Sequence, residues 1–427
     1  MSETPDWTFC VMPFISMMLN TDTTYQFCCI ARGVDSRLKD KDGNYLRVGK
    51  NSIKEAWHSP TLEDVREKML NNEKVDACEN CYIQENIGRE SYRIRKNREW
   101  KAKLGDELAE RIDNVHNFPP ADLDLRLGNL CNLQCRMCNP MNSSQIAKEH
   151  YEIKKDPDFY DVYKEEFGES KDKDKLLNIQ HMFDGNFMWN DIISTIPYLH
   201  KVYMTGGEPT LIKNNYRFME EAIAAGRNKD LQLFFNINCT NVTDKFLDLI
   251  TQFPKLFINP SIDGYGNTND YIRYPSHWEK IEENFKKLVE TVGEQTRITV
   301  TPVFQIYNVY SIGKLFHYLS HMKQKYNREI EIDVLYNTHP YCLSVVNLPQ
   351  DVKDKAVHIL RKYDSYKQST ENCIKYLQSD PMKNREHHID NFFKYTNSMD
   401  KFRNQSFKDT FPELHNDLYT TVESSVQ

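Results

Sequence analysis

Three closely spaced cysteines are the residues whose types and spacing most directly suggest chemistry in this sequence. Cys131, Cys135 and Cys138 lie within eight residues, directly after a predicted strand at 122–127. Three thiolates can hold a 4Fe–4S cluster in which one iron keeps an open position for a substrate or cofactor. Three thiolates and a water molecule also make a zinc site. The spacing alone therefore predicts a metal centre and leaves its metal open.

A second candidate site follows a later strand. The strand Lys201–Thr205 runs into Gly206, Gly207, Glu208 and Pro209. Two glycines at the carboxyl end of a parallel strand let a ligand approach the backbone closely, and Glu208 supplies a negative charge that suits an ammonium group. The alternative is an ordinary turn between a strand and a helix. The occurrence of Gly-Gly-Glu-Pro together with the cysteine triplet favours a ligand site over an ordinary turn. It also favours an iron–sulfur cluster over zinc at the triplet.

The remaining cysteines form an N-terminal set and three isolated residues. The total of eleven cysteines is odd, and the chain is large, so a disulfide scaffold is not expected. A C-x2-C pair is a common half-site for zinc or an iron–sulfur cluster. The N-terminal set, which ends in such a pair, is Cys10, Cys28, Cys29, Cys78 and Cys81. The isolated thiols, expected to be buried or incidental, are Cys239, Cys342 and Cys373.

The composition excludes several classes of protein. The chain has 427 residues, of which 39% are apolar and 12% aromatic, and this argues against a disordered chain. Lys and Arg number 55 and Asp and Glu 62, so the net charge of −7 excludes a uniformly basic nucleic-acid-coating protein. No apolar stretch is long enough to predict a membrane-spanning helix. The polar, acidic N-terminus does not fit a signal peptide, so we expect a cytoplasmic protein.

Alternating strand and helix patterns between residues 121 and 335 must position the candidate residues. The predicted strands are 122–127, 201–204, 231–236, 256–262, 297–303 and 329–335. The helices predicted between them are 211–226, 243–252, 277–292 and 309–324. This alternation predicts βαβ units and a parallel sheet. The charged segment 154–175, inside a long insertion at 139–199, is expected to be a solvated surface segment.

The flanking regions are predicted to contain short elements and polar helices. The N-terminal elements are a strand within 10–19, a turn at 21–23, a helix over 52–58 capped by Ser52 with Glu55, and a helix over 61–71 capped by Thr61. Residues 88–114 are predicted to be a charged, exposed connecting helix, and the basic run 89–103 within it is predicted to be a solvated helix face. Residues 336–427 are predicted to be helical and polar, with His387 and His388 exposed.

These motifs resemble those of the radical S-adenosylmethionine (SAM) superfamily. The C-x3-C-x2-C spacing matches that family's cluster motif, and Gly-Gly-Glu-Pro at 206–209 matches its second-strand motif. Residues 236–241, 260–264 and 271–273 resemble the family's fourth- and fifth-strand positions. The resemblance covers roughly residues 121–335. It implies an α/β fold with a partial, TIM-like (β/α)6 barrel and a site at the carboxyl ends of the strands.

The resemblance also implies roles for individual residues. The triplet would hold a 4Fe–4S cluster whose fourth iron is chelated by SAM. The implied cofactor-binding residues are Met137 near the adenine, Gly206, Gly207 and Glu208 at the methionyl amino group, Ser261 and Asp263 near the ribose and methionyl moiety, Arg273 at the carboxylate, and also Pro209 and Asn238. The alternatives are a surface ion pair for Arg273 and a turn position for Asp263. The implied reaction is reductive cleavage of SAM to a 5′-deoxyadenosyl radical, which abstracts hydrogen from the substrate.

The N-terminal set resembles the SPASM and twitch auxiliary-cluster domains of the same superfamily. Those domains carry a cysteine, a cysteine near a hairpin, a helix with a tryptophan (here Trp57) and a C-x2-C pair. Four ligands, Cys10, Cys28 or Cys29, Cys78 and Cys81, would close one auxiliary 4Fe–4S cluster, with Cys28 slightly favoured over Cys29 and a zinc knuckle as the alternative. Unlike in the best-known members, this domain precedes the barrel. The implied organisation is an auxiliary domain over 1–90, a helical linker over 91–120, the barrel over 121–335 and a helical segment over 336–427.

The expected function is therefore an oxidoreductase-type radical enzyme acting on a peptide or protein, with an oxidised residue, a cross-link or an epimer as product. The same chemistry on a small molecule, such as a sugar, nucleoside or cofactor precursor, is the alternative, because no peptide-recognition domain is evident. A non-catalytic zinc-binding interaction module is the third hypothesis. The expected partners are the substrate and an external flavodoxin- or ferredoxin-like electron donor, with no membrane and no nucleic acid. The sequence identifies no catalytic acid or base.

Overall fold

The chain folds into two compact units in the computed structural model, which describes residues 8–33, 36–86, 90–168, 177–183 and 185–425. Unit 1 contains residues 1–129, 178–235 and 252–256. Unit 2 contains residues 130–177, 236–251 and 257–427.

Parallel strands form the framework of both units. Strands β1 to β10 are Ser16–Leu19, Tyr25–Gln26, Asp122–Leu125, Lys201–Met204, Gln232–Ile237, Leu256–Pro260, Arg297–Val300, Val303–Phe304, Ile330–Ile332 and Leu335–Tyr336. In unit 1, β1 pairs antiparallel with β2 and parallel with β3, and β4 lies parallel between β3 and β5. In unit 2, β7 lies parallel between β6 and β9, and β8 pairs parallel with β10. The predicted α/β fold with a parallel sheet is confirmed.

Helices alternate with these strands and dominate the C-terminal region. Helices α1 to α19 are Met12–Ile15, Ile53–Trp57, Pro60–Leu70, Glu79–Asn86, Tyr92–Leu104, Asp106–Asp113, Ser144–Ile153, Pro157–Phe167, Asn186–Thr195, Lys213–Ala224, Asp244–Ile250, Asn267–Ile272, Trp278–Thr291, Ile312–Tyr326, Gln350–Leu360, Lys367–Leu377, Arg385–Arg403, Phe407–Thr410 and Pro412–Ser425. The strands and helices predicted between 121 and 335 are present, with ends shifted by a few residues. None of the helices in the described ranges combines the length and apolarity needed to cross a membrane.

The strands of unit 1 have one apolar face and one polar face. Leu123 on β3 lies in register with Val202 on β4, and both are fully buried. The side chains that alternate with them on these two strands are Asp122, Asp124, Lys201 and Tyr203. Strands covered on both faces usually have a nearly continuous apolar run. The charged residues on this face therefore depart from that apolar pattern. The stability of the sheet alone does not explain them.

The sequence suggested a strand within residues 10–19, but these residues do not form one continuous strand. The helical turn α1 comes first, and β1 begins only at Ser16. Pro13 lies in the first turn of α1, where its fixed φ suits a helix and its missing N–H costs nothing. The predicted turn at 21–23 is present, and Thr23 adopts a φ of 70°.

One helix cap was predicted correctly and the next was not. Ser52 and Glu55 form the expected capping box at the start of α2. Helix α3 begins at Pro60, and the Ser59 side chain, not Thr61, accepts the N–H of Leu62 at its start. The sequence reading overlooked that proline is favoured at the first helical position.

Two segments expected to be solvated each have one buried face. In unit 2, Phe159 and Tyr163 of α8 are buried in one hydrophobic core with residues of α15 and α17, so the segment from residue 154 has a buried face. Residues 169–175 of that prediction lie outside the described residues. In unit 1, the α5 residues Arg93, Lys96 and Trp100 are buried. The expectation of full exposure was wrong in both places, because mixed charges hid apolar faces with helical spacing.

Candidate functional site

The loop that carries the cysteine triplet begins directly after β3 and is anchored by backbone hydrogen bonds in unit 2. The Gln134 N–H donates to the Tyr274 carbonyl at 2.6 Å, and the Arg136 N–H donates to the Ile272 carbonyl at 2.9 Å. All three thiols of the triplet are half-buried. Burial raises the pKa of Cys135, and it raises the pKa of Cys138 to about 12. Binding of a metal or cluster would require these thiols to lose their protons.

A buried arginine inside the triplet loop was not identified from the sequence. The guanidinium of Arg136 lies over the Tyr271 ring, 3.9 Å from its centroid, and pairs with the carboxylate of Asp400 on α17. The Tyr271 hydroxyl donates to the same carboxylate at 2.6 Å, and the Tyr395 hydroxyl donates to the Arg136 carbonyl at 2.8 Å. The loop between Cys135 and Cys138 is thereby fixed to the C-terminal helices. Helical spacing in residues 385–403 gives no signal for this contact, because it depends on tertiary packing.

Arg273 lies beside the triplet. Its Nε lies 2.7 Å from Asp263 Oδ2, and its Nη1 lies 3.8 Å from the Cys135 sulfur. Asp263 is fully buried, and its Oδ1 accepts the Val303 N–H at 2.7 Å. The ion pair is thus buried, unlike the surface pair considered as an alternative. Asp263 holds the guanidinium next to the thiols.

Asn238 contacts the same loop through Asn132. The Asn238 side-chain amide donates to Asn132 Oδ1 at 3.0 Å, and Asn238 Oδ1 accepts the Thr240 N–H at 2.9 Å. The Ser261 N–H donates to the Ile237 carbonyl at 2.7 Å. Met137 packs against the hydrophobic core of unit 2. The structure therefore brings Asn238 and Arg273 to the triplet loop.

The Gly-Gly-Glu-Pro turn lies in unit 1 at the carboxyl end of β4. Gly206 has a φ of +113°, and a Cβ there would lie 2.8 Å from the Gly128 carbonyl oxygen, so no other residue fits without a backbone shift. The Gly207 N–H donates to the same carbonyl at 3.1 Å. The buried Glu208 accepts the hydroxyl of Thr210 at 2.7 Å and caps the short helical turn that begins at Pro209. These contacts fix the carboxylate at the end of the strand.

Four of the five N-terminal cysteines line one pocket in unit 1. The cysteines that line it are Cys10, Cys28, Cys78 and Cys81. Burial raises the pKa of Cys10 well above its usual range and that of Cys78 to about 12. Cys29 does not line this pocket, and its sulfur lies 3.6 Å from the Tyr92 hydroxyl. A hydrogen bond from Cys28 lowers the pKa of Cys29 to about 7.

A buried arginine also supports this pocket. Arg93, at the pocket wall, donates to the Phe9 carbonyl at 2.7 Å and pairs with both carboxylate oxygens of Glu85. Asn97 donates to the Phe9 carbonyl at 3.0 Å and accepts the Val11 N–H at 2.8 Å. The two backbone positions on either side of Cys10 are therefore held by α5.

Two family models match the sequence in these regions. The model of the radical SAM superfamily matches residues 125–306, and that of the SPASM iron–sulfur cluster-binding domain matches residues 10–82. The chain belongs to the radical SAM superfamily. Its SPASM region is N-terminal, and it is a radical SAM enzyme by family. No curated protein matches the sequence significantly.

Solved structures of similar fold share little sequence with this radical SAM protein. A structure of anSMEcpe with bound AdoMet and a Cp18Cys peptide has 14% identity and a TM-score of 0.36 over 59% of this chain and 61% of that chain. Streptococcus suis SuiB bound to precursor peptide SuiA has 11% identity and a TM-score of 0.36 over 86% of this chain and 72% of that chain. This radical SAM protein spans about three fifths of the length of the anSMEcpe chain. Likeness at these TM-scores supports no conclusion on the substrate.

Three thiols in the triplet loop and four in the unit 1 pocket are a ligand set that fits iron–sulfur clusters. The cofactors of the superfamily are a 4Fe–4S cluster and SAM, and SPASM domains bind auxiliary clusters. A zinc ion with Zn–S bonds of about 2.3 Å needs its sulfur ligands about 3.8 Å apart. Within the described part of the chain, no three cysteine sulfurs lie within 4.8 Å of one another.

The remaining predicted residues need no role in these sites. The isolated thiols Cys239, Cys342 and Cys373 are buried, as expected. His387 is half-exposed on α17 and contacts Glu165, which agrees with an exposed position.

Proposed function

We propose that this radical SAM enzyme acts on a peptide or protein, giving an oxidised residue, a cross-link or an epimer. The observation that carries the proposal is the pocket lined by four cysteines of the SPASM domain. Four protein thiolates would leave no open iron at an auxiliary cluster, so that the cluster could exchange electrons but not bind the substrate. Electron acceptance fits a net oxidation or an oxidative cross-link best. Only Cys29 remains in this domain, which supports one auxiliary cluster.

The cluster that binds SAM would be held by Cys131, Cys135 and Cys138. When bound, this cluster and SAM supply hydrogen abstraction from an unactivated C–H bond. Arg273, held by Asp263 beside Cys135, is proposed to pair with the SAM carboxylate, for which a planar guanidinium is suited. Glu208 is proposed to meet the methionyl ammonium group. The proposed roles of Met137, Ser261 and Asn238 in SAM binding, and the domain boundaries at 90, 120 and 335, stay predictions.

A small polar substrate is the second candidate, and the polar face of β3 and β4 favours it. Asp124 is buried there and forms two hydrogen bonds with the Arg126 guanidinium, at 3.2 and 3.0 Å. Burial raises the pKa of Asp124. Buried charged groups with perturbed pKa values are typical of binding and catalytic sites. A sugar or nucleotide precursor offers the hydroxyl groups that such a face would bind.

An assay with peptides encoded by short reading frames near the gene tests the choice of substrate. The enzyme is reconstituted under anaerobic conditions and incubated with SAM, a flavodoxin or dithionite, and each candidate peptide. Loss of two hydrogens from a peptide, detected by mass spectrometry, indicates oxidation or cross-linking. Gain of deuterium by a peptide in D2O, with no change of its mass in H2O, indicates epimerisation. Formation of 5′-deoxyadenosine without any change in the peptides would contradict the peptide proposal and favour a small molecule.

A further inference from the structure

A group of metal-ligating side chains lies outside both cysteine sites. His58 follows α2, Glu63 lies in the first turn of α3, and His116 lies in the 3-10 turn Val115–Asn117. One ligand atom from each residue lies within 4.8 Å of the other two. All three belong to unit 1, and neither the family nor the proposed reaction uses them. We refer to these three residues as the histidine cluster.

The two imidazoles of the histidine cluster are already spaced as ligands of one ion. Their Nδ1 atoms lie 3.1 Å apart, and the rings are stacked with planes inclined by 19°, so one ring must turn for both nitrogen lone pairs to point at one ion. Two nitrogens on a tetrahedral zinc ion, with bonds of about 2.0–2.1 Å, are about 3.3 Å apart. A direct hydrogen bond between the rings would also give a short distance, but it would require one ring to donate from Nδ1 and the other to accept there.

The carboxylate of Glu63 completes the set and is held by a buried arginine. Its Oε1 lies 4.0 Å from His58 Nδ1, and its Oε2 lies 3.8 Å from His116 Nε2; His116 can give the ion only one of its two ring nitrogens. Arg66 donates to Oε1 at 2.9 Å and also to the Trp57 carbonyl at 2.8 Å. Carboxylates that bind metals are usually fixed by such an outer hydrogen bond. Oε2 is the oxygen that remains for an ion.

The backbone segments that carry the two histidines are connected without any metal. The Trp57 indole N–H donates to the Phe118 carbonyl at 2.8 Å and also reaches the Val115 carbonyl at 3.3 Å. The turn with His116 is thereby fixed to the helix that precedes His58. An open pocket borders both histidines and has room for water as a further ligand. Ligands on fixed elements lose little freedom when they bind an ion.

We propose that His58, Glu63 and His116 bind one divalent transition-metal ion, for which Zn²⁺ is the best match. Imidazole nitrogens and a carboxylate oxygen are zinc ligands, and three protein ligands leave one position for water. The absence of thiols from this set separates it from the iron–sulfur chemistry of the same protein. The ion would tie the turn before β3 to the helices of the SPASM region within unit 1.

Zinc titration of the reconstituted holoenzyme tests this site, because the clusters then occupy the cysteines. The expected result for wild type is about one zinc per chain, with zinc-edge X-ray absorption showing N and O ligands at about 2.0–2.1 Å and no sulfur at about 2.3 Å. The double variant H58N/H116N should lose this zinc, and E63Q should weaken its binding at least about 10-fold, by analogy with other changes at metal sites. Zinc should also raise the Tm of wild type and not that of the double variant.

The matched control removes two exposed histidines that lie on different elements, His277 before α13 and His358 of α15, in the variant H277N/H358N. This control should bind zinc as wild type does. Retention of the zinc by H58N/H116N, loss of it in the control, or sulfur in the zinc coordination shell would each overturn the proposal. Iron content and 5′-deoxyadenosine formation should be unchanged in H58N/H116N, so failure of this proposal is distinguishable from failure of the proposed function.

Discussion

The cysteines of the SPASM pocket come from three separate segments of the chain, whereas Cys131, Cys135 and Cys138 come from one loop of eight residues. The first set supplies four thiols and the second supplies three. A cluster on four thiols is complete, and a cluster on three keeps one iron for a further ligand. Under the proposed function, this difference in number would correspond to a difference in task, electron exchange in one site and cofactor binding in the other.

Both sites nevertheless use a buried arginine to hold the backbone next to a cysteine. Arg93 is bound to the Phe9 carbonyl beside Cys10, and Arg136 follows Cys135 and pairs with Asp400. Each guanidinium has a carboxylate partner, which a buried charge requires. The rigid support is shared by the two sites, while the ligand number distinguishes them.

The largest expected effect comes from removing the triplet. In the variant C131A/C135A/C138A, iron should fall from about eight to about four per chain, and 5′-deoxyadenosine formation should stop, because the iron that binds SAM is lost. Iron analysis and chromatography after anaerobic reconstitution measure both quantities. A variant that still cleaves SAM would show that the triplet is not the cofactor site.

The next largest effect distinguishes Cys28 from Cys29 as the ligand of the auxiliary cluster. It also tests whether four cysteines of the SPASM pocket complete that cluster. C28A removes a thiol that lines the pocket and should lower iron from about eight to about four per chain, with SAM cleavage retained and substrate oxidation lost. C29A is the matched control, since its thiol lies outside the pocket beside Tyr92, and it should keep the iron of wild type. The opposite pattern would assign the ligand to Cys29.

The support of the triplet loop gives a smaller, graded effect. R136M leaves Asp400 buried without its cation, and breaking a buried pair in this way costs about 3–5 kcal/mol of stability. We expect a lower Tm and faster loss of the triplet cluster, followed by its visible absorbance. R98M is the control, because Arg98 also pairs with a carboxylate, Glu90, but is exposed, and exposed pairs often contribute nothing measurable. Equal Tm values for the two variants would contradict the role of Arg136.

The sequence could suggest a metal site at Cys131, Cys135 and Cys138 because these residues are close together in the chain, and their role as ligands stays a prediction. The spacing of the cysteines and the glycines of Gly206-Gly207 are visible in the chain, and the alternating patterns placed β3 and β4 correctly. The preference for Cys28 over Cys29 agrees with the pocket in the structure, although spacing gave only a slight reason for it. Which neighbouring thiol faces a pocket is decided by the packing around it.

The supporting contacts could not be predicted, because they join residues far apart in the chain. Arg136 and Asp400 are separated by 264 positions, and the Arg–Asp pair has no spacing that a sequence reveals. The histidine cluster was missed for the same reason, since His58 and His116 are 58 positions apart. The charged composition of α5 and α8 concealed buried faces, because tertiary packing outweighs the average polarity of a segment.

The smallest expected effect concerns a helix that forms one wall of the SPASM pocket. Met69 of α3 lines the pocket, and α3 is capped by Ser59. S59A should lower the free energy of unfolding by about 1 kcal/mol, whereas S59G should cost only a few tenths of a kcal/mol, because glycine is tolerated at this position and alanine is not. Thermal unfolding of unit 1, followed together with the retention of iron at each site, measures the difference. If the cap supports the pocket, S59A should release auxiliary iron sooner than S59G does. The triplet should lose its iron at the same rate in both variants. Equal loss from the two sites would mean that the two clusters depend on one common unfolding step, and the contrast between a scattered and a local ligand set would then have no consequence for stability.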